Sequence, residues 1–168
     1  MGGNMSNREI VEKFLSCYHN HDYRGMQSYL DEKIQFSDYA FDINGEKVNA
    51  MWHWFCIPYK PREKPIEVPE FEVIETKGDT VIAKYRVNYL YGKGKRPVDY
   101  YIKAHFTIQN DRIIKHHDEF FSISEYEFAK MAFGFPIAIL SLTPVLRFFL
   151  KIGASNRLEQ FMLKNKDD

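Results

Sequence analysis

Cysteine is nearly missing from this 168-residue chain: Cys17 and Cys56 stand alone, in no CxxC pair and no disulfide framework. Both fall in stretches that read as helices, so buried free thiols in a reducing, cytoplasmic setting are expected. A charge surplus is missing as well. The 23 basic residues balance 23 acidic ones, leaving nothing to neutralise a phosphate backbone, which argues against nucleic acid as a partner. There is no long unbroken hydrophobic run. Residues 131–150 come nearest, but Gly134, Pro136, Pro144 and Arg147 interrupt them, whereas a spanning helix takes about 20 mostly apolar residues. A transmembrane segment is rejected and a peripheral membrane contact stays open. Residues 1–6 lack the basic-then-apolar pattern of a signal peptide and are expected to be disordered, or added ahead of a start at Met5. Repeats, low-complexity tracts and a second core are also absent. The GxG at Gly92-Lys93-Gly94 is no dinucleotide fingerprint, because a strand and not a helix follows it.

What the chain does have is aromatic side chains, 16 % of its residues, which suit both a core and a pocket wall. Ser6 and Glu9 form a capping box ahead of Ile10, Val11, Phe14, Leu15 and Tyr18, predicting an amphipathic helix over 7–20. Asp22 can cap a shorter helix carrying Met26, Tyr29 and Leu30, and Ile34 and Phe36 alternate like a short strand. A turn at Asn44-Gly45 leads to a third helix marked by Val48, Met51, Trp52, Phe55 and Cys56, with His53 beside its stripe. Pro58, Pro61 and Pro65 make a rigid, exposed connection.

Strand-like runs follow at 66–76 and 80–91, turning at Lys77-Gly78-Asp79; Pro69 places the first at an edge or bulge. Then comes the stretch with the most chemistry. Residues 100–108 and 112–121 flank Gln109-Asn110-Asp111 and read as a β-hairpin. Period-two alternation puts Ile114, His116, Asp118 and Phe120 on one face and Lys115, His117 and Glu119 on the other. A histidine and a carboxylate thus share an apolar face. A second capping box, Ser124 with Glu127, opens a tail of helices carrying Leu146, Phe149, Leu150, Leu158, Phe161 and Met162. The layout is α+β, with helices on one face of a curved sheet.

This order, with the segments Phe36-Ser37-Asp38-Tyr39-Ala40-Phe41, Val48-Asn49-Ala50-Met51-Trp52-His53-Trp54-Phe55-Cys56, Ile113-Ile114-Lys115-His116-His117-Asp118-Glu119-Phe120 and Thr143-Pro144, resembles the nuclear-transport-factor-2-like (NTF2-like) superfamily, with its SnoaL-like and ketosteroid-isomerase-like members. The resemblance covers about residues 7–163. It implies a cone: N-terminal helices packed on a strongly curved antiparallel sheet round an apolar cavity, often as a homodimer. The corresponding division is an NTF2-like domain over 7–122 and a helical extension over 123–168 that packs on the domain or a partner.

Such folds host isomerases, cyclases, dehydratases, epoxide hydrolases and non-catalytic binders, so particular residues have to choose the chemistry. Asp38 matches the place of the isomerases' proton-shuttling carboxylate. The partners of their oxyanion hole are lacking, since Phe14 stands for the tyrosine and Ile102 and Ala104 lie near the place of the acid. Asp118 matches a working aspartate of epoxide-hydrolase-like and SnoaL-like members, but Asn88, near Arg86, replaces a carboxylate that the hydrolases use.

The catalytic candidates are therefore Asp118 as general acid/base, His116 or His53 as its orienter, and Asp38 as a second carboxylate. Trp52, Tyr18, Tyr85, Tyr89, Tyr100 and Phe120 are candidates for the ligand-binding wall. A structural reading stands beside each: Asp118 bonding to His53 or a tyrosine and closing the cone mouth, Asp38 capping its own turn, His53 as an ordinary hydrogen-bonded histidine. His53, His116 and Asp118 suit a metal chemically, but no ligand spacing supports one, and neither metal nor cofactor is expected. The partner expected is a small apolar ligand. An enzyme of this design needs Asp38, His53 and Asp118 to converge on one cavity that solvent can reach. A dimeric interaction module would instead have its cavity filled by aromatics.

Overall fold

In the computed structural model, residues 5–58 and 64–165 are described. Residues 1–4 and Pro61 of the proline-rich connection lie outside them. Helix α1 (Asn7–His19) starts at the expected capping box: Ser6 accepts from the Glu9 amide, and the Glu9 carboxylate accepts from the Ser6 amide. Its stripe of Ile10, Val11, Phe14, Leu15 and Tyr18 is buried. Helix α2 (Tyr23–Gln27) is capped by Asp22 and is shorter than the apolar spacing suggested. Tyr29 and Leu30 leave it, and Leu30 opens strand β1 (Leu30–Ser37). A three-residue strand β2 (Asp42–Asn44), which carries too few residues to show a period, pairs back on β1. Gly45 then turns the chain, at φ 55°, into helix α3 (Glu46–Cys56).

The long strands are β3 (Phe71–Lys77), β4 (Thr80–Tyr91), β5 (Arg96–Gln109) and β6 (Arg112–Phe120). Strand β3 begins five residues later than the alternation predicts. Pro69 has no N–H to give a ladder, so residues before it contribute only an isolated bridge from Glu67 to Asn88. The sheet order is β2-β1-β6-β5-β4-β3, which leaves β3 at an edge as Pro69 implied. Every pairing is antiparallel except β1 with β6, which run parallel. The tight β5–β6 turn has both Asn110 and Asp111 at positive φ, the form that suits the twist of a two-residue hairpin.

After β6 come α4 (Glu125–Phe133), a 3₁₀ segment (Ile137–Leu142) and α5 (Pro144–Lys164). Helix α4 packs over β5, and α5 over α3 and the 3₁₀ segment. Leu158 and Phe161 of α5 are buried in the same core as Phe14, Trp52 and Phe106. Neither cysteine is in a disulfide among the described residues; Cys56 is buried and Cys17 half-buried. The result is an α+β fold with helices on the concave face of a curved, unclosed sheet.

Candidate active-site cavity

The direction in which β6 points its side chains depends on one irregularity. Ile108 faces Ile113, yet the next residue back on β5, Thr107, faces Lys115. Ile114 is therefore an extra residue, a β-bulge that shifts the alternation by one. The buried residue of the pair is Ile113, not Ile114 as unbroken alternation predicted, while His116 and Asp118 still point inward. On that face His116 lies opposite Phe106 and beside Phe36. Phe14 of α1 meets its ring edge-on, and Trp52 of α3 stacks on it with planes 17° apart. The imidazole is 1 % exposed.

His116 Nε2 lies 2.7 Å from Asp118 Oδ1, and the Tyr85 hydroxyl donates to Asp118 Oδ2 at 2.5 Å. Each carboxylate oxygen thus has one buried partner. Tyr85 reaches this carboxylate from β4, across the whole width of β5. Asp118 lies opposite Ala104, which lies opposite Ala83; these two small residues leave the gap that the phenol fills. His116 Nδ1 is buried with no hydrogen-bond partner among the described residues. A bare lone pair there costs less than an orphaned N–H, which favours the tautomer whose Nε2–H donates to Asp118. Burial first, then the Asp118 charge, hold the Tyr85 hydroxyl well above its usual range, so it stays a proton donor.

Asp118 lines a cavity of about 710 Å³, within the span of small-molecule pockets. Such open volume does not match the expectation of a cavity filled by aromatics. Asp38 lines the same space. It sits just past β1, where its Oδ1 accepts from the amides of Ala40 (2.7 Å) and Phe41 (2.5 Å). The residue therefore does cap its own turn, and Oδ2 is left as the atom open to a bound molecule. Removal from water, with the negative charge of Asp118 adding to it, pushes the Asp38 carboxyl from 3.8 up to about 7; the two amides and Lys151 pull the other way.

The expected wall is largely there. Tyr18, Trp52, Tyr85, Tyr89, Tyr100 and Phe120 all border the cavity. Burial raises the Tyr100 hydroxyl, and Tyr89, Asp38 and Asp118 each push it further, which puts Tyr100 within the field of both carboxylates. His53 is a correction: it is not part of the cavity lining. Its ring stacks on Tyr23 of α2 at 3.9 Å and meets Phe161 of α5 edge-on. From α3 it is Trp52, Trp54 and Phe55 that border the cavity. The requirement that Asp38, His53 and Asp118 converge is not met: the two aspartates share the cavity and His53 lies outside it, so the three-residue design is overturned and acid–base chemistry here has only the two carboxylates to draw on. His116 lies behind Asp118 and touches the cavity only through it.

Tyr39, Arg147 and Arg157 are among the lining residues that the sequence reading did not single out as site candidates. Tyr39 has a buried hydroxyl without a hydrogen-bond partner among the described residues, and its neighbour Arg147 lies 5.7 Å over the ring. Arg147 and Arg157 reach the cavity from α5, where tertiary packing and not local pattern decides. Arg86 forms a two-pronged pair with Asp99 at 2.8 and 2.6 Å, away from the lining. An arginine of the epoxide-hydrolase kind on β4 is therefore not available to Asp118. Among the described residues, no cluster of His, Cys, Asp and Glu has the geometry to hold a metal.

No family model matches the chain, and no curated protein matches it. Solved structures do. An NTF2-like protein of unknown function from Cytophaga hutchinsonii aligns with a TM-score of 0.57 at 15 % identity, covering 72 % of this chain and 95 % of its own. An LEH-like epoxide hydrolase from M. tuberculosis gives 0.57 at 17 %, covering 82 % and 96 %. A Burkholderia pseudomallei NTF2-like protein of unknown function gives 0.55 at 15 %, covering 77 % and 99 %. Identities this low speak for architecture alone, and on that ground the chain has the NTF2-like fold.

Proposed function

We propose that the cavity is an acid–base site acting on a small apolar molecule, by isomerisation, dehydration, cyclisation or ring opening. The observation that carries this reading is a pair of unlike carboxylates on one cavity. Asp118 is fixed by His116 and Tyr85, while Asp38, raised to about 7, offers a free Oδ2. Burial raises Asp38 while two protein partners hold Asp118, and carboxylates in such unlike settings can divide the roles of acid and base. Asp38, partly protonated near neutrality, gives or takes the proton at Oδ2. Asp118 accepts the complementary proton, with His116 holding its orientation. Tyr100 and the Tyr39 hydroxyl supply donors for a developing oxyanion, and the aromatic wall excludes water.

The test is extraction of ligand from purified protein, followed by turnover assays on epoxide, enone and hydroxy-carbonyl compounds of that skeleton. Asp38→Asn and Asp118→Asn should each lower kcat at least roughly a hundredfold, the usual worth of a positioned acid or base. Unchanged turnover in Asp118→Asn removes that residue from the chemistry. One observation favours a second reading, a non-catalytic binding domain: both Asp118 oxygens already have protein partners. That reading predicts a bound ligand recovered chemically unaltered. A homodimer and a cytoplasmic setting fit either reading.

A further inference from the structure

The tail carries an unpartnered apolar surface of unusual size. On α5, Val145, Phe148, Phe149 and Ile152 follow one another at helical spacing, and each is at least 43 % exposed. The opposite side of the helix places Leu146 and Leu158 in the interior. Just before it, Phe135 and Leu142 are 69 % and 73 % exposed, with Ile139 and Leu140 half in solvent between them. Monomeric proteins seldom leave so many large apolar side chains contiguous in water.

Charge selects the occupant. Between residues 128 and 158 the chain has four basic residues, Lys130, Arg147, Lys151 and Arg157, and no acidic one. Arg147 and Arg157 border the cavity, which leaves Lys130 and Lys151 for a partner, and Lys151 lies 4.0 Å from Asp42. A second copy docking face to face on this surface would set cation against cation, with no acid inside the segment to answer it. An anionic lipid surface answers both features, since acyl chains take the aromatic and aliphatic stripe and headgroups take Lys130 and Lys151. No described helix is long and apolar enough to cross a membrane, so the segment lies in the interface plane.

We infer that the 3₁₀ segment and the first half of α5 dock the protein on an anionic bilayer. The same helix borders the cavity through Arg147, Phe149 and Leu150. Docking therefore sets the cavity beside the acyl region, from which an apolar molecule can enter without crossing water. The docking itself does not depend on what the cavity does.

Flotation of the full chain with phosphatidylcholine vesicles, with and without phosphatidylserine, tests this. The protein should float with the mixed vesicles and bind roughly tenfold more weakly to pure phosphatidylcholine or at high salt. The double variant Leu142→Asp/Phe148→Asp, neither residue lining the cavity, should stay in solution with an unchanged circular dichroism spectrum. Lys130→Glu/Lys151→Glu, which leaves the apolar stripe intact, should lose the preference for phosphatidylserine. Wild-type protein that ignores both vesicle types overturns the inference. So does a wild-type dimer that Leu142→Asp/Phe148→Asp converts to a monomer without any loss of vesicle binding.

Discussion

His116 Nε2 meets Asp118 Oδ1 at 2.7 Å although the two residues are neighbours on one strand face, two positions apart. Side chains at that spacing on a straight strand stand parallel. Here both lean into one aromatic enclosure, and Tyr85 completes the arrangement from two strands away. Removing the tyrosine hydroxyl leaves Asp118 Oδ2 without a partner in a buried place. Tyr85→Phe should therefore cost about 1–3 kcal/mol, measured by chemical denaturation. A cost near zero would mean that water replaces the phenol and that the cavity reaches deeper than it does in this structure.

Ala104 is the spacer of that network, since its small side chain lies between Tyr85 and Asp118. Ala104→Leu should overpack the site at a cost of about 1–3 kcal/mol and lower the affinity for any ligand that depends on Asp118. The control is Ala83→Ser. It lies in the same row but adds little volume and should leave ligand affinity within about twofold, a difference under 1 kcal/mol.

Asp38 should leave a mark on stability against pH. Its folded-state pKa, about 7, lies above the ordinary 3.8, so between those values the folded protein holds a proton that the unfolded chain has lost. The contribution of this group is then fully present below about pH 4 and disappears as pH rises through 7. Asp38→Asn keeps an oxygen for the amides of Ala40 and Phe41 without the buried charge. It should raise Tm relative to wild type at pH 8 and do so much less at pH 5. Equal shifts at both pH values would show that Asp38 is not raised.

His53 and Arg86 lie away from the cavity, and their substitution should separate fold from chemistry. His53→Ala loses the stack on Tyr23, worth about 1 kcal/mol, yet should leave ligand affinity unchanged by calorimetry. Arg86→Ala breaks an exposed pair with Asp99 and should likewise leave the cavity's ligand affinity unaltered. A large loss of affinity in Arg86→Ala would restore a hydrolase-type arginine to the site.

Local chemistry was legible wherever it acts over a few residues. Both capping boxes, the turn at Asn110-Asp111 and the buried stripe of α1 all follow from neighbours within one helical turn or one hairpin, whereas on α3 the stripe holds at Val48, Met51, Trp52 and Cys56 but buries Trp54 and not Phe55. The inward aim of Asp118 was also legible, since alternation counted from Phe120 gives it. Counted from the buried Ile113 the same rule fails, because the bulge at Ile114 inserts a residue and no local pattern announces it. His53 was misplaced for a different reason: an apolar stripe marks which helix face is buried but does not say which neighbouring element a flanking residue will meet.

The sequence by itself determined the elements, their order and the alternation that turns His116 and Asp118 inward, because these depend on short-range sterics and on the period of apolar residues. Only the tertiary structure decided that Tyr85, and not His53, hydrogen-bonds to Asp118. The same is true of the parallel β1–β6 pairing and of the arrival of Arg147 and Arg157 at the cavity from the tail. Those outcomes depend on sheet curvature, on the room left by two alanines and on the packing of α5 against α3, quantities that belong to residues far apart in the chain and close together only once it has folded.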